Sequence, residues 1–210
     1  MRKINLGKIL SVRYILLTAC VAALAVAFVV SLPQPAYADG ATPPPVPANL
    51  EVPEGSKLFL VGHAVGTQNY ICLPVAGVIR YVLFTPQATL FDLNTGAQTM
   101  THYFSPTPDE GGSIRAAWQF KDTSTVWGRA LDGHSSSDPD FVAPGAIPWL
   151  KVTAFGHENG PTGGDKLAVT TFIQRLNTTG GVAPSTGCSS ATDIGRQEFV
   201  PYTADYFFFR

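Results

Sequence analysis

The side chains that could carry chemistry are few and widely spaced. Beyond residue 38 lie four histidines, His63, His102, His134 and His157, and no two have the i, i+4 spacing that brings imidazoles onto one metal. His157-Glu158 lacks the second histidine of an H-E-x-x-H helix. Asp92-x-Asn94-x-Gly96 has the start of a calcium loop, without its third ligand or its bidentate glutamate. No metal and no cofactor are therefore expected. A serine nucleophile would need a G-x-S-x-G elbow, which is absent, and Ser135-Ser136-Ser137 sits in a Gly/Asp/Pro-rich stretch that reads as a loop. Paired carboxylates of a glycosidase could be drawn from Asp92, Asp109, Glu110, Asp122, Asp132 and Asp205, but each reads more simply as a turn residue or a solvated charge.

Gln68, Tyr70, Gln174 and Arg175 are more informative, because they are polar groups within otherwise apolar segments. Buried polar groups require partners. Arg175 is expected to pair with Asp92 or Asp205; the functional reading is a small pocket for a polar ligand. His102, beside Tyr103, is expected to bond a backbone carbonyl at a strand end, with a site role as its alternative. Of the tryptophans, Trp118 is expected in the core. Trp149 is the one expected to face outward, where it could stack on a sugar ring or a partner protein.

The elements that must position these groups are strands. From Lys57 onward apolar residues recur with period two or in short runs, separated by Gly, Pro, Asn and Asp. Strands are predicted at 58–64, 67–73, 78–84, 89–92, 97–103, 113–120, 125–131, 148–155, 167–177, 198–200 and 206–209. Asp92-Leu93-Asn94-Thr95-Gly96 reads as a hairpin turn, since Asn and Gly tolerate positive φ. Apolar residues at odd and even positions make 78–84 and 167–176 candidate central strands. In 148–155, Leu150, Val152 and Ala154 form an inward set opposite Trp149, Lys151 and Thr153. The fold class is all-β, an antiparallel β-sandwich or a partly closed β-barrel, in a single domain.

That domain follows an export signal. Arg2, Lys3, Lys8 and Arg13 precede the apolar run Ile15 to Val30, and Ala36-Tyr37-Ala38 offers an A-x-A cleavage site. The run is short of the roughly 20 residues of a membrane span, and Pro33 and Pro35 follow it. Leu17-Thr18-Ala19-Cys20 is an alternative lipoprotein box, argued against by the apolar residues after Cys20. The division is thus 1–38 signal peptide, 39–49 Pro-rich leader of polyproline II character and 50–210 domain. Cleavage takes the formal charge from −1 to −5. No cluster of Lys and Arg remains for phosphates, so nucleic acid is excluded, as is a membrane span. Two cysteines are left, Cys72 and Cys188. An even pair in a secreted or periplasmic protein reads as a disulfide, with two free buried thiols as the alternative. Asn177-Thr178-Thr179 is a glycosylation sequon, expected to stay bare because the signal is bacterial in style.

Gly66-Thr67-Gln68-Asn69-Tyr70-Ile71-Cys72, His102-Tyr103, Ile147-Pro148-Trp149-Leu150, Phe172 to Pro184 and Pro201 to Phe208, in this order, resemble the DUF3455 family of secreted bacterial and fungal proteins. The resemblance covers residues 50–210. It implies export and a Cys72–Cys188 pair, and it implies no catalytic residue, because the family is functionally uncharacterised. Some fungal relatives carry a malate dehydrogenase label. This chain has neither a G-x-G-x-x-G turn nor alternating strands and helices. Where many relatives have Pro-Thr-Trp after the His-Tyr pair, it has Ser105-Pro106-Thr107-Pro108 and an apparent insertion before Trp127.

Abundant aromatics, scarce charge and the lack of a catalytic motif favour a secreted, non-catalytic binding or cell-envelope-associated module, its partner a glycan or an envelope component. The alternative is an extracellular hydrolase acting through Gln68, Tyr70, Asp92, His102 and Arg175. Intact mass of the exported protein should correspond to the 172 residues from Asp39, less two hydrogens for the disulfide; a lipid adduct or two free thiols would contradict this reading.

Overall fold

The computed structural model describes residues 42–210, so the signal segment, the lipoprotein box and the cleavage site lie outside the described residues. Eight antiparallel strands follow one another round a closed barrel: β1 Leu58–Val75, β2 Val78–Phe91, β3 Gln98–Pro106, β4 Ile114–Phe120, β5 Thr125–Ser136, β6 Trp149–Glu158, β7 Phe172–Gly180 and β8 Gln197–Phe209. Each pairs with the next, and β8 returns to β1. The all-β expectation holds. Of its two architectures the barrel is the one adopted, and it is closed rather than partly closed.

Three pairs of short predicted strands are single long ones, divided in the sequence by residues that usually punctuate. Gly66, Pro86 and Pro201 all lie inside ladders, at one level of the barrel: Gly66 opposes Ala88, Gln68 opposes Pro86, and Thr67 opposes Pro201. A Cβ on Gly66 would stand 2.1 Å from the Gln87 carbonyl oxygen and 2.5 Å from the Ala88 Cα. Glycine is there because β1 and β2 close tightly as the wall bends, a use of Gly within a strand rather than at its end. The β1–β2 connection is a two-residue turn with both central residues at positive φ, Ala76 at 49° and Gly77 at 82°, whose twist matches the flanking strands. Asp92 to Gly96 forms the predicted β2–β3 turn, with Asp92 Oδ1 accepting from the Asn94 and Thr95 amides.

Three other expectations are corrected. Residues 78–84 are not a central strand: β3 pairs only with the far end of β2, from Ala88 to Phe91, so the near end leans on β1 alone. Val78 and Phe84 are more than half exposed there. Residues 167–169 belong to a turn, 170 and 171 are irregular, and β7 begins at Phe172. Leu167 is fully buried even so, as part of the barrel core. Ser135 and Ser136, expected in a loop, end β5 opposite Leu150 and Trp149.

Strand alternation divides the apolar side chains into two cores. The inner one joins Ala64, Leu90, Met100, Trp118, Val126, Val152, Ile173, Tyr202, Ala204, Tyr206 and Phe208, with Leu150 and Ala154 packed against it as their alternation predicts. The outer one covers the opposite face of β6, β7 and β8 with Leu50, Val142, Trp149, Leu176, Phe207 and Phe209. Trp149 therefore does point out of the barrel, but it is 5% exposed, its ring edge-on to Phe141 at 5.9 Å. Val46, Leu50 and Val52 join this outer core, so packing begins within the last residues of the Pro-rich leader.

Cys72 and Cys188 are bonded, with Cα atoms 5.5 Å apart, and tie β1 to the long β7–β8 connection across 116 positions. A link of that span is worth about 4–5 kcal/mol by loss of denatured-state entropy. The double variant Cys72→Ser/Cys188→Ser should lose stability of that order in urea unfolding while its far-UV circular dichroism stays that of a β protein; an unchanged midpoint would refute the assigned role of the bridge.

Candidate functional site

One end of the barrel is filled and the other is not. Leu90, Met100, Ile173 and Phe208 fill the first, whereas the second holds a cavity of about 230 Å³ lined by residues of all eight strands. Eight strands enclose just enough room for side chains or for one small ligand. The strands are also splayed here. The near end of β2 is unpaired with β3, and β4 pairs with β5 only from Ala116 to Gln119, so Leu83, Pro86, Phe104 and Ile114 surround an opening.

The inward positions of β1, β3, β7 and β8 bring Gln68, His102, Arg175 and Tyr206 to this cavity. Arg175 stands directly opposite Tyr206 in the β7–β8 ladder and opposite Leu150 on β6. Its Nη2 donates to the Pro148 carbonyl oxygen at 2.8 Å, while its Nε is buried with no partner. Gln68 is 2% exposed, and its Nε2 likewise has no partner. The Gln68 side chain reaches the Tyr202 hydroxyl and the Arg175 side chain the Tyr206 hydroxyl, and both contacts oppose the burial that raises those phenol pKa values, although Gln68 Nε2 and Arg175 Nε themselves meet no acceptor at hydrogen-bond geometry; the two hydroxyls are 3.4 Å apart.

The expected pairing of Arg175 with Asp92 or Asp205 is not made. Asp205 is next to Tyr206 on β8, so its side chain leaves the other face of the wall, where its two carboxylate oxygens meet His63 Nδ1 at 2.7 Å and Asn177 Nδ2 at 2.8 Å. Asp92 is engaged in the β2–β3 turn. No Asp or Glu lines the cavity, and among the described residues Arg175 makes no ion pair. Its charge is felt by its neighbours instead. Burial raises the phenol pKa of Tyr206, Tyr202 and Tyr70, and Arg175 pulls in the opposite direction on all three.

His102 lies mid-strand, not at a strand end, and as expected it bonds a backbone carbonyl: Nδ1–H donates to Ala117 O at 2.9 Å. The ring stacks on Trp118, centroids 4.3 Å apart and planes within 10°, and Tyr206 closes over the pair at 5.2 and 5.6 Å. Burial first, and Arg175 second, hold its pKa down to about 3, so the imidazole is neutral and the stack gives the cavity a flat aromatic lining rather than a cationic one.

The remaining candidates are elsewhere. Tyr70 points inward but donates to Gly181 O at 2.6 Å beside the cavity. Gln174 is turned to the outer face, with its Nε2 on Leu50 O. Trp118 is buried as expected, and Trp149 offers no exposed stacking face. Ser105 and Pro106 end β3 where it enters the β3–β4 hairpin, and Trp127 Nε1 donates to Ser105 Oγ at 2.6 Å. Sequence reasoning missed Tyr202 and Tyr206, because Pro201 was taken to interrupt β8 and hid the alternation Tyr202, Ala204, Tyr206, Phe208. It also missed Arg115 and Arg129 at the mouth, which Glu110 and the Phe155 ring hold. Among the described residues no group of three His, Cys, Asp or Glu side chains could hold a metal ion.

A family model described as a protein of unknown function, DUF3455, matches residues 53–210, and the chain belongs to that family. No curated protein and no solved structure matches it.

The depressed pKa of His102 has a stability consequence. Between pH 6.5 and about 3 the unfolded imidazole takes up a proton that the folded one refuses. The contribution is complete above pH 6.5 and is lost as pH falls, at up to about 1.4 kcal/mol per pH unit. His102→Gln, which keeps a donor for Ala117 O, should flatten the stability profile between pH 6.5 and 5 in denaturant titrations. An unchanged slope would mean that His102 protonates freely in the folded protein.

Proposed function

We propose that this DUF3455 protein is an extracytoplasmic, non-catalytic binding module that takes a small ligand into the open end of its barrel. The observation that carries this reading is the cavity of about 230 Å³, with the buried and unpartnered Gln68 Nε2 and Arg175 Nε on its residues. Buried donors without acceptors are uncommon, and a ligand oxygen is a natural partner for them. The apolar remainder, Leu83, Phe104, Leu150 and Val152 among others, fits the usual make-up of a small-molecule site, mostly apolar with few polar groups. The disulfide suits an oxidising compartment outside the cytoplasm.

A hydrolase would need an acid–base pair facing the cavity. His102 is the one titratable candidate brought there from the set containing Tyr70 and Asp92, and it is neutral, stacked and without a carboxylate partner. Binding needs no such pair. A glycan platform on exposed tryptophan has no support either, since Trp118, Trp127 and Trp149 are all buried. A ligand-observed NMR screen of monocyclic compounds against the protein recovered from expression of the full chain should yield binders. Ala130→Trp, which places an indole in the cavity, should abolish their signals while preserving cooperative thermal unfolding. Either no binders, or binders indifferent to Ala130→Trp, would overturn this reading.

A further inference from the structure

The chemistry of the cavity specifies its ligand more narrowly. Resting on the binding role argued above, we infer that the ligand is a small, planar organic monoanion, a carboxylic acid on a single aromatic or conjugated body. The charge of Arg175 is the first reason. A guanidinium inside a barrel without a carboxylate partner is an arrangement that an incoming carboxylate completes, because the guanidinium fork presents two parallel N–H donors to two oxygens. Nη2 is already committed to Pro148 O, and Nε is unpartnered. Gln68 Nε2, on the same cavity, supplies a further donor.

Absence of competing charge is the second reason. The cavity is lined by Arg115, Arg129 and Arg175 and by no acidic residue, although the chain after residue 38 carries a net charge of −5. Arg115 is neutralised by Glu110 at the mouth, so the positive charge left to draw anions and repel cations is that of Arg129 and Arg175. A single inward cation amid apolar walls compensates one negative charge; a dianion would leave the second one desolvated and unpaired.

Shape is the third. The parallel His102–Trp118 stack gives the cavity flat aromatic lining, with Tyr206 inclined against it, and Leu150 and Val152 also line the cavity. An enclosed cavity of about 150 Å³ accepts benzene, so about 230 Å³ accommodates one ring with a short acidic arm. A neutral His102 adds no second positive charge to this lining.

The experiment compares cinnamate with cinnamamide, which has the same shape and no charge, by isothermal titration on protein recovered from expression of the full chain. Cinnamate should bind at least tenfold more tightly than the amide. Arg175→Met should bring cinnamate down to the level of the amide and leave the amide itself unchanged, and Arg175→Lys should restore part of the preference by charge without the fork. Melting temperatures show whether each variant is folded; the comparison of two ligands on the unaltered protein needs no variant at all. Equal affinity for the two, lost in Ala130→Trp, would overturn the anionic ligand and leave the binding cavity standing. Binding of neither would overturn both.

Discussion

The pairing of β8 with β1, from Leu58 opposite Phe209 to Ile71 opposite Gln197, turns a meander of eight strands into a closed wall, and that wall gives every residue an inside or an outside. Closure leaves the circle of strands no edge except where neighbours splay. It also converts strand alternation into a sorting rule. Tyr202, Ala204, Tyr206 and Phe208 are sent to one core, while Phe207 and Phe209 are sent to the other, with Trp149 and Leu50 as cover. Asp205 and Tyr206 are consecutive in sequence, yet one is buried beside His63 on the outer face of the wall and the other lies beside Arg175 within.

Arg175 shows what this sorting costs. A charge directed into a barrel requires compensation, and the wall offers one carbonyl oxygen, two phenols nearby and an open cavity. The same cation adds to burial in depressing the basicity of His102 and partly offsets the effect of burial on Tyr70, Tyr202 and Tyr206. The polar interior is thus a single electrostatic unit with Arg175 at its centre. The filled end of the barrel carries no equivalent, since it is built from Leu90, Met100, Ile173 and Phe208.

Much of the fold was legible because period-two patterning is a local property. The alternation at Leu150, Val152 and Ala154, the Asp92 to Gly96 turn and the Cys72–Cys188 bridge all follow from short stretches or from counting. The strand breaks assigned at Gly66, Pro86 and Pro201 were misread for one reason: these residues commonly end strands, and here they serve close approach and bending inside a closed wall. Residues 78–84 look central because apolarity does not say whether a neighbouring strand will cover it; β3 covers only the other end of β2. Trp149 was placed on the correct face, but that face is covered by the loop just before it, residues 141–146, together with residues 46–52, far away in sequence.

The candidate site divides in the same way. Residue type and local pattern were enough to mark Gln68, Tyr70, His102 and Arg175 as polar groups in buried surroundings, and to give His102 a backbone carbonyl as partner. Which of them meet depended on register between strands up to 107 positions apart, from Gln68 to Arg175. The sequence by itself determined an all-β domain with one disulfide, an inward set on β6 and a short roster of polar candidates. Only the tertiary structure decided that the sheet closes, that Arg175 turns away from Asp205 and toward a cavity, and that the cavity contains no carboxylate. The physical reason is that alternation is set by neighbouring residues, whereas closure, register and charge pairing are set by strands that meet only after the chain has come full circle.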